Sequence, residues 1–416
     1  MSTICKPFYV ALVLNYCKLM LMISYFQNKS VPDIYLYISH FLDHFVMLIF
    51  AKAAFDAGRF FDLSYGETIQ LGTLGFVLFG LVSPVAARLA DYYSRSLLMV
   101  VFHFGIGIFA IGVSFSESAG HLIIGLAGLG AFASIFHPVG IAMLLKNSEK
   151  VGLRLGINGV FGNMGVAAAP LLTGVLIFYD DWRTAFLVSG SICLIYGVVF
   201  AVSLQPEKSQ QNNNSNKKEK IGFSNGWEWV LIALAISTTV GGFIFAAVTF
   251  LIPRYFEIYM TNLSLSIAVT GILASLVYAF SSFSQVAVGW LIDRVSPKRV
   301  LFAMALGQII FIFLASLFSN FILFIFMAIA VCFVFGQIPI TDAILVRYVP
   351  DDWRNRVLSI KFVLNLGVGA SVLPVCSFLL GRGYELSDLF SFMSFSAIII
   401  LLASLMLPSQ NKNNIV

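Results

Sequence analysis

Gly289-Trp290-Leu291-Ile292-Asp293-Arg294-Val295-Ser296-Pro297-Lys298-Arg299 is a short charged stretch between two long apolar runs. A weaker copy, Ala87-Arg88-Leu89-Ala90-Asp91-Tyr92-Tyr93-Ser94-Arg95-Ser96, occupies the same kind of place earlier in the chain. Asp91 and Asp293 are 202 residues apart, and Pro170 and Pro374, each inside a Gly-rich apolar run, are 204 apart. Two echoes at nearly one period indicate two parallel repeats, with the charged loop at matching positions in each half.

The composition says what surrounds those loops. Of 416 residues, 59% are apolar and 11% charged, and the mean hydropathy is +0.92. Soluble domains run at about 45–50% apolar and about 25% charged. A folded soluble chain still exposes much of its surface to water, so this excess of apolar residues excludes a soluble enzyme. The net charge of +5 is scattered through short loops, which excludes a basic nucleic-acid-binding face. Cys5, Cys17, Cys193, Cys332 and Cys376 lie in apolar runs without CxxC spacing. They read as small core hydrophobes, so no disulfide, zinc or other metal site is expected.

A membrane helix needs about 20 mainly apolar residues. Twelve runs qualify, near 34–55, 68–90, 97–115, 121–145, 156–178, 184–204, 228–252, 264–291, 300–318, 321–346, 357–380 and 388–407. Strand-type alternation is absent, so the expectation is an all-α membrane protein of twelve transmembrane helices. Residues 1–30 form an apolar or amphipathic N-terminal extension whose 7–26 run carries Lys18 at its centre. An interfacial helix, an uncleaved leader and a thirteenth span all fit, and a peripheral helix is favoured because a central lysine disfavours insertion. The expected organisation is a six-helix half at 31–204, a polar linker at 205–226, a second six-helix half at 227–408 and a polar tail at 409–416. With both ends of the twelve-helix body cytoplasmic, inner loops and tail collect sixteen basic residues, and outer loops collect five: Lys52, Arg59, Arg183, Arg254 and Arg382. That asymmetry is a positive-inside signal and points to a bacterial inner membrane.

The Gly-x-Leu-x-Asp-Arg-x-x-x-Lys-Arg pattern at 289–299, with its copy at 87–96, resembles the loop signature of the major facilitator superfamily. The copy departs from it at Tyr92, Ser94 and Ser96. The resemblance implies two six-helix bundles (a major-facilitator-type fold) over about residues 34–407, with spans one, four, seven and ten lining a central cavity. Asp181-Trp182-Arg183 is similar to another feature of that superfamily, and Ser39-His40-Phe41-Leu42-Asp43 with Phe136-His137-Pro138 resembles its fosmidomycin-resistance-like branch. Asp91, Arg95, Asp293, Arg294, Lys298 and Arg299 are then expected to form a gate. An aspartate suits the N-terminal end of a neighbouring helix, and the basic residues can bridge to acids of the other bundle or to anionic lipid.

An ionisable group at membrane depth marks a pathway or a pair. His40, Asp43 and His44 share one helical face at i, i+3 and i+4, and His137 and Asn163 stand at similar depth in spans four and five. A carboxylate beside histidines can carry a proton, so Asp43, His40, His44 and His137 are the expected proton-coupling set; an interhelical hydrogen-bond cluster is the plainer alternative. His103 reads as structural. In the second half, Asp342 and Lys361 each stand five residues from a loop arginine and should pair. With Asn163, Gln337, Thr341 and Asn365 they are the candidate substrate contacts.

These readings converge on a secondary active transporter of a small solute, without a cofactor and monomeric, with protons and the lipid bilayer as its other partners. No Gly-x-x-x-x-Gly-Lys-Ser/Thr occurs in the sequence, so the expected energy source is an ion gradient or the solute gradient itself, and protons suit the Asp43 and histidine set best. Proton-coupled efflux is expected; uptake of a metabolite or metal-chelate is the alternative. A membrane-embedded enzyme is the reading from another class, and neither His-Glu-x-x-His nor Gly-x-Ser-x-Gly is present to support it.

Overall fold

A computed structural model describes residues 25–27, 29–146, 151–206, 226–261 and 266–408. The 7–26 run for the most part, the interior of the 205–226 linker and the 409–416 tail lie outside the described residues.

Twelve helices are long and apolar enough to cross a membrane. Those of the first half are Asp33–Phe61, Tyr65–Tyr92, Arg95–Ser114, Ala119–Leu145, Arg154–Tyr179 and Trp182–Val202. Those of the second are Trp227–Tyr259, Ile267–Ile292, Pro297–Leu317, Asn320–Leu345, Val363–Gly381 and Leu386–Met406. The protein is an integral, multi-pass, all-α membrane protein. Polar side chains start several helices by accepting hydrogen bonds from backbone N–H groups that have no partner within the helix. Ser94 accepts from Leu97, Ser118 from His121 and Ser266 from Val269. Asp181 takes the N–H groups of both Arg183 and Thr184. The last of these gives the Asp-Trp-Arg stretch a local task as a helix cap.

Packing repeats as the sequence does. In the first half, span one packs on span five, span two on span four, and span three on spans four and six. In the second, span seven packs on eleven, eight on ten, and nine on ten and twelve. The halves meet where span five lies on eight, two on eleven and one on seven. At the first contact the backbones nearly touch: a side-chain carbon on Gly271 would stand 2.2 Å from the Pro170 carbonyl oxygen. Small residues of this kind let membrane helices approach closely where no water drives them together. Because successive spans alternate in direction, residue 33 and the loops at 92–95 and 293–297 fall on one face, called here the motif face; residues 61 and 259 fall on the far face.

Two expectations need correction. Strands are not wholly absent: Lys29–Ser30 pairs antiparallel with Gln205–Pro206, and the Ser96 hydroxyl donates to the Lys29 carbonyl at 2.6 Å. The start of the body is thereby tied to the first residues of the linker. The helices also outrun their apolar windows. Span one continues to Phe61 and span seven to Tyr259, so Lys52, counted with the outer loops although it falls within the 34–55 run, and Arg254, placed just beyond the 228–252 run, both lie inside helices. Their charge is accepted there because each finds a partner.

If the repeat sets the topology, Asp91→Cys and Asp293→Cys will react with a membrane-impermeant thiol reagent from one side only. Tyr179→Cys, at the far end of span five and 81% exposed, will react only from the other. Labelling of the two aspartate positions from opposite sides overturns the arrangement.

Candidate functional site

Three polar clusters lie at membrane depth. The first is built on span one. His40 and His44, one turn apart, bring their Nε2 atoms to 3.1 Å. Asp43 is fully buried between them in sequence and places Oδ2 3.4 Å from His137 Nε2. His137 reaches this position from Phe136–Gly140, a wide π-type turn in span four. Pro138 has no N–H to continue the helical ladder, so the ladder opens by one residue at the histidine. Span five closes the cluster. The Asn158 carbonyl lies 2.7 Å from His40 Nδ1, and Gly162 leaves room for the ring, since a side-chain carbon there would come within 2.6 Å of it. Phe136 stacks on His40 at 4.8 Å and Phe79 meets His137 at 5.7 Å. Asn163 is buried on the same helix, and its Nδ2 has no hydrogen-bond partner among the described residues. His103 is separate: it contacts the Ser39 hydroxyl at 3.0 Å and packs on Tyr196 and Phe200, an interhelical brace.

The second cluster is in the other half. Lys361 pairs with Asp342, whose side chain remains 45% exposed while that of Lys361 is 11% exposed. The Asp342 carboxylate is thus only partly enclosed by protein. The neighbours expected beside it are mostly engaged elsewhere. Gln337 accepts from Gln308 Nε2 at 2.7 Å and donates to the Ser237 carbonyl at 3.0 Å, which makes it a tie between spans seven, nine and ten. The Thr341 hydroxyl donates to Ile338 of its own helix at 2.9 Å. Asn365 turns its amide against Gly242 of span seven.

The third cluster escaped sequence reasoning. Lys52 of span one, with no exposed side-chain surface, pairs with Glu257 of span seven and donates to the Thr270 hydroxyl of span eight. Glu257 also receives Arg254 at 2.8 Å, and Arg254 lies over the Phe55 ring at 3.4 Å. This network joins the two halves near the far face. The available signal was Lys52 itself, an intramembrane cation within the 34–55 run that required an acid somewhere.

The motif face is arranged differently. Among the described residues Asp91 pairs with Arg88 of its own helix, at 3.7 Å, and both side chains are exposed. Arg95 donates to the Ala142 carbonyl at 3.4 Å. Arg294 donates to the Trp290 carbonyl and lies over that ring. Lys298 holds the Leu405 and Leu407 carbonyls at 2.8 Å each, and Arg347 holds that of Ile292 at 2.7 Å. Asp293 and Arg299 are exposed. Cations near helix C-termini are favourable because the last carbonyls lack partners within the helix. Among the described residues these charges cap helices within their own half, and the ion pair that joins the halves is the one near the far face.

The family model described as Major Facilitator Superfamily matches residues 36–260 and again 238–414. The chain belongs to the major facilitator superfamily. Among curated relatives, "Multidrug resistance protein MdtG" of Escherichia fergusonii is 24% identical over 56% of this chain and 57% of its own. "Multi-drug resistance efflux pump PmrA homolog" of Lactococcus lactis is 24% identical, over 53% and 55%. The chain thus spans little more than half the length of these two relatives. The "4-hydroxybenzoate transporter PcaK" of Pseudomonas aeruginosa is 22% identical over 77% of this chain and 79% of its own. A solved bacterial homolog of the human lysosomal transporter Spinster superposes with a TM-score of 0.68, at 14% identity, over 89% of this chain and 93% of that one. A solved peptide transporter, POT, in complex with sulfate gives 0.69 at 12% identity, over 90% and 92%. These structures establish the fold.

The Lys52 network yields an ordered prediction. Glu257→Gln strips the partner from two cations, and breaking a buried pair costs about 3–5 kcal/mol. Lys52→Met leaves Glu257 still held by Arg254 and should cost less. Thermal unfolding of the purified protein will therefore place Glu257→Gln below Lys52→Met, with wild type highest; equal melting temperatures for all three would remove the network from the account of stability.

Proposed function

We propose that the protein is a secondary transporter that exports a small amphiphilic solute by alternating access, in exchange for protons. The observation that carries this reading is the asymmetry of charge between the halves among the described residues: Lys52 and Glu257 bridge them near the far face, while on the motif face Arg95, Arg294, Lys298 and Arg347 hold carbonyls of their own half. Two bundles whose described bridging ion pair lies at one end fit the arrangement of a carrier with one side closed. The multidrug-resistance relatives support the choice of an amphiphilic solute and of export. The two stretches that resemble the fosmidomycin-resistance-like branch, at 39–43 and 136–138, meet in space through Asp43 and His137, which is compatible with that branch.

Proton exchange is assigned to Asp342 with Lys361. The Asp342 side chain is 45% exposed, and among the described residues Lys361 is the cation within ion-pair distance of it. Protonation of Asp342 releases Lys361, and a released lysine can hold an anionic group of the solute or stand clear of a cationic one. Asp43 has no exposed surface and lies 3.4 Å from the His137 ring nitrogen, so it suits this exchange less well than the sequence alone suggests.

A second reading, uptake of an aromatic acid, is favoured by Lys361 as an anion-holding group and by the 4-hydroxybenzoate transporter among the relatives. Proteoliposomes separate the two. Under an imposed proton gradient, wild type should drive ethidium against its gradient and leave 4-hydroxybenzoate unmoved. Asp342→Asn should lower gradient-driven ethidium transport at least about tenfold while ethidium exchange without a gradient persists. Gradient-driven transport by Asp342→Asn at the wild-type rate removes Asp342 from coupling, and movement of 4-hydroxybenzoate alone establishes the second reading.

A further inference from the structure

We propose that His40, His44 and His137 form a binding site for a first-row transition-metal dication of the zinc class, with the Asp43 carboxylate beside it supplying compensating charge. The proposal is independent of the carrier reading, because it concerns binding of the ion and not the movement of any solute.

Convergence is the first argument. One ligating atom from each histidine lies within 4.8 Å of the others. Zinc–nitrogen bonds of about 2.0–2.1 Å set the edges of a tetrahedral site at about 3.4 Å. The His40–His44 separation of 3.1 Å is already of that size, and His137 needs only side-chain adjustment to complete the set. Two histidines four residues apart on one helix, with the third ligand from another element, is a recurrent way of presenting imidazoles to a metal.

Protonation state is the second. A backbone carbonyl can only accept, so the 2.7 Å contact of His40 Nδ1 with Asn158 fixes the hydrogen on Nδ1 and leaves a lone pair on Nε2, the atom facing His44. Metal-ligating histidines are held in this manner by a carbonyl or carboxylate on their other nitrogen. Asp43 Oδ2 lies 3.4 Å from His137 Nε2, close enough to add negative charge beside that ring.

Charge is the third. Asp43 is fully buried, and neither of its oxygens has a hydrogen-bond partner among the described residues. A carboxylate in that position is costly without a cation, and a dication held by three neutral imidazoles supplies one. Imidazole with carboxylate selects first-row transition metals over calcium or magnesium, which prefer oxygen. His44, the partly exposed member, gives the ion its entry.

The test uses the full chain, purified in detergent with its affinity tag removed and stripped with chelator. Titration with Co²⁺ should saturate at one ion per chain, give the visible ligand-field bands of a low-coordinate nitrogen site, and be reversed by Zn²⁺. His44→Gln and His137→Gln should each weaken binding by more than about tenfold and Asp43→Asn by about 10–100-fold. His121→Gln, an exposed histidine at the start of span four, should leave binding unchanged. X-ray absorption of the Zn²⁺-loaded wild type should count three imidazoles, a readout that does not need the variants to fold. Absence of stoichiometric Co²⁺ binding, unchanged affinity in folded His44→Gln and His137→Gln, or a zinc shell without imidazole would each overturn the proposal.

Discussion

A charge inside a membrane must have a partner, and this requirement organises the chain. Water at the bilayer centre is not available to solvate a lysine or a carboxylate, so each buried ionised group ties two elements together or stays near an opening. Lys52 shows the strongest form. With no exposed side-chain surface it is held by Glu257 and Thr270, 205 and 218 residues away along the chain. The packing of span one against spans seven and eight is therefore specified by polar chemistry, whereas apolar side chains there would be as content in lipid. Span five against span eight is specified by the opposite device, the absence of side chains at Gly271.

Much of the architecture was legible because its signal is local. A run of about 20 apolar residues states its own fate, and the matched aspartates at 91 and 293 state the repeat. The Asp342–Lys361 contact was legible too, since both residues lie close to one short loop and depth can be counted along each helix. Where inference failed, the missing information was distant. Hydropathy falls after Lys52 and again at Arg254, which on a local view marks a helix end; only the pairing across the halves allows both helices to continue. Gln337 was singled out for its polarity at depth, yet Gln308 and the Ser237 carbonyl already satisfy its amide. A sequence displays which residues need partners but not which partners have been supplied. For the same reason the Asn158 carbonyl, a backbone group that any residue carries, gave no sign of its contact with His40.

The two halves share a packing scheme and differ in chemistry. The first gathers three imidazoles with a fully buried carboxylate beside one of them; the second sets a lysine against a carboxylate that is partly exposed. The repeated loops differ less in fold than in what their charges hold. Arg294, Lys298 and Arg347 finish helices of the second half on carbonyls at 2.7–2.9 Å, while in the first half Arg88 remains exposed beside Asp91 at 3.7 Å. The Tyr92 and Ser96 departures fall where the second copy has Arg294 and Lys298, so the first loop lacks two of the cations that perform this capping.

Any motion that parts spans one and seven near the far face must separate Lys52 from Glu257. Left unanswered in a dry interior, the loss of one partner of such a pair is worth about 3–5 kcal/mol, or about two to four decades in population. Two things reduce it. Arg254 remains on Glu257 at 2.8 Å, so the acid is never bare, and an opening on that side admits water to solvate Lys52. New contacts on the motif face have to supply the remainder, and among the described residues the exposed Asp91, Asp293 and Arg299 are charged groups there that could make them. On the proposed alternating-access reading, a buried network on one face and exposed charges on the other form a balance in which each closed state would be held by different residues.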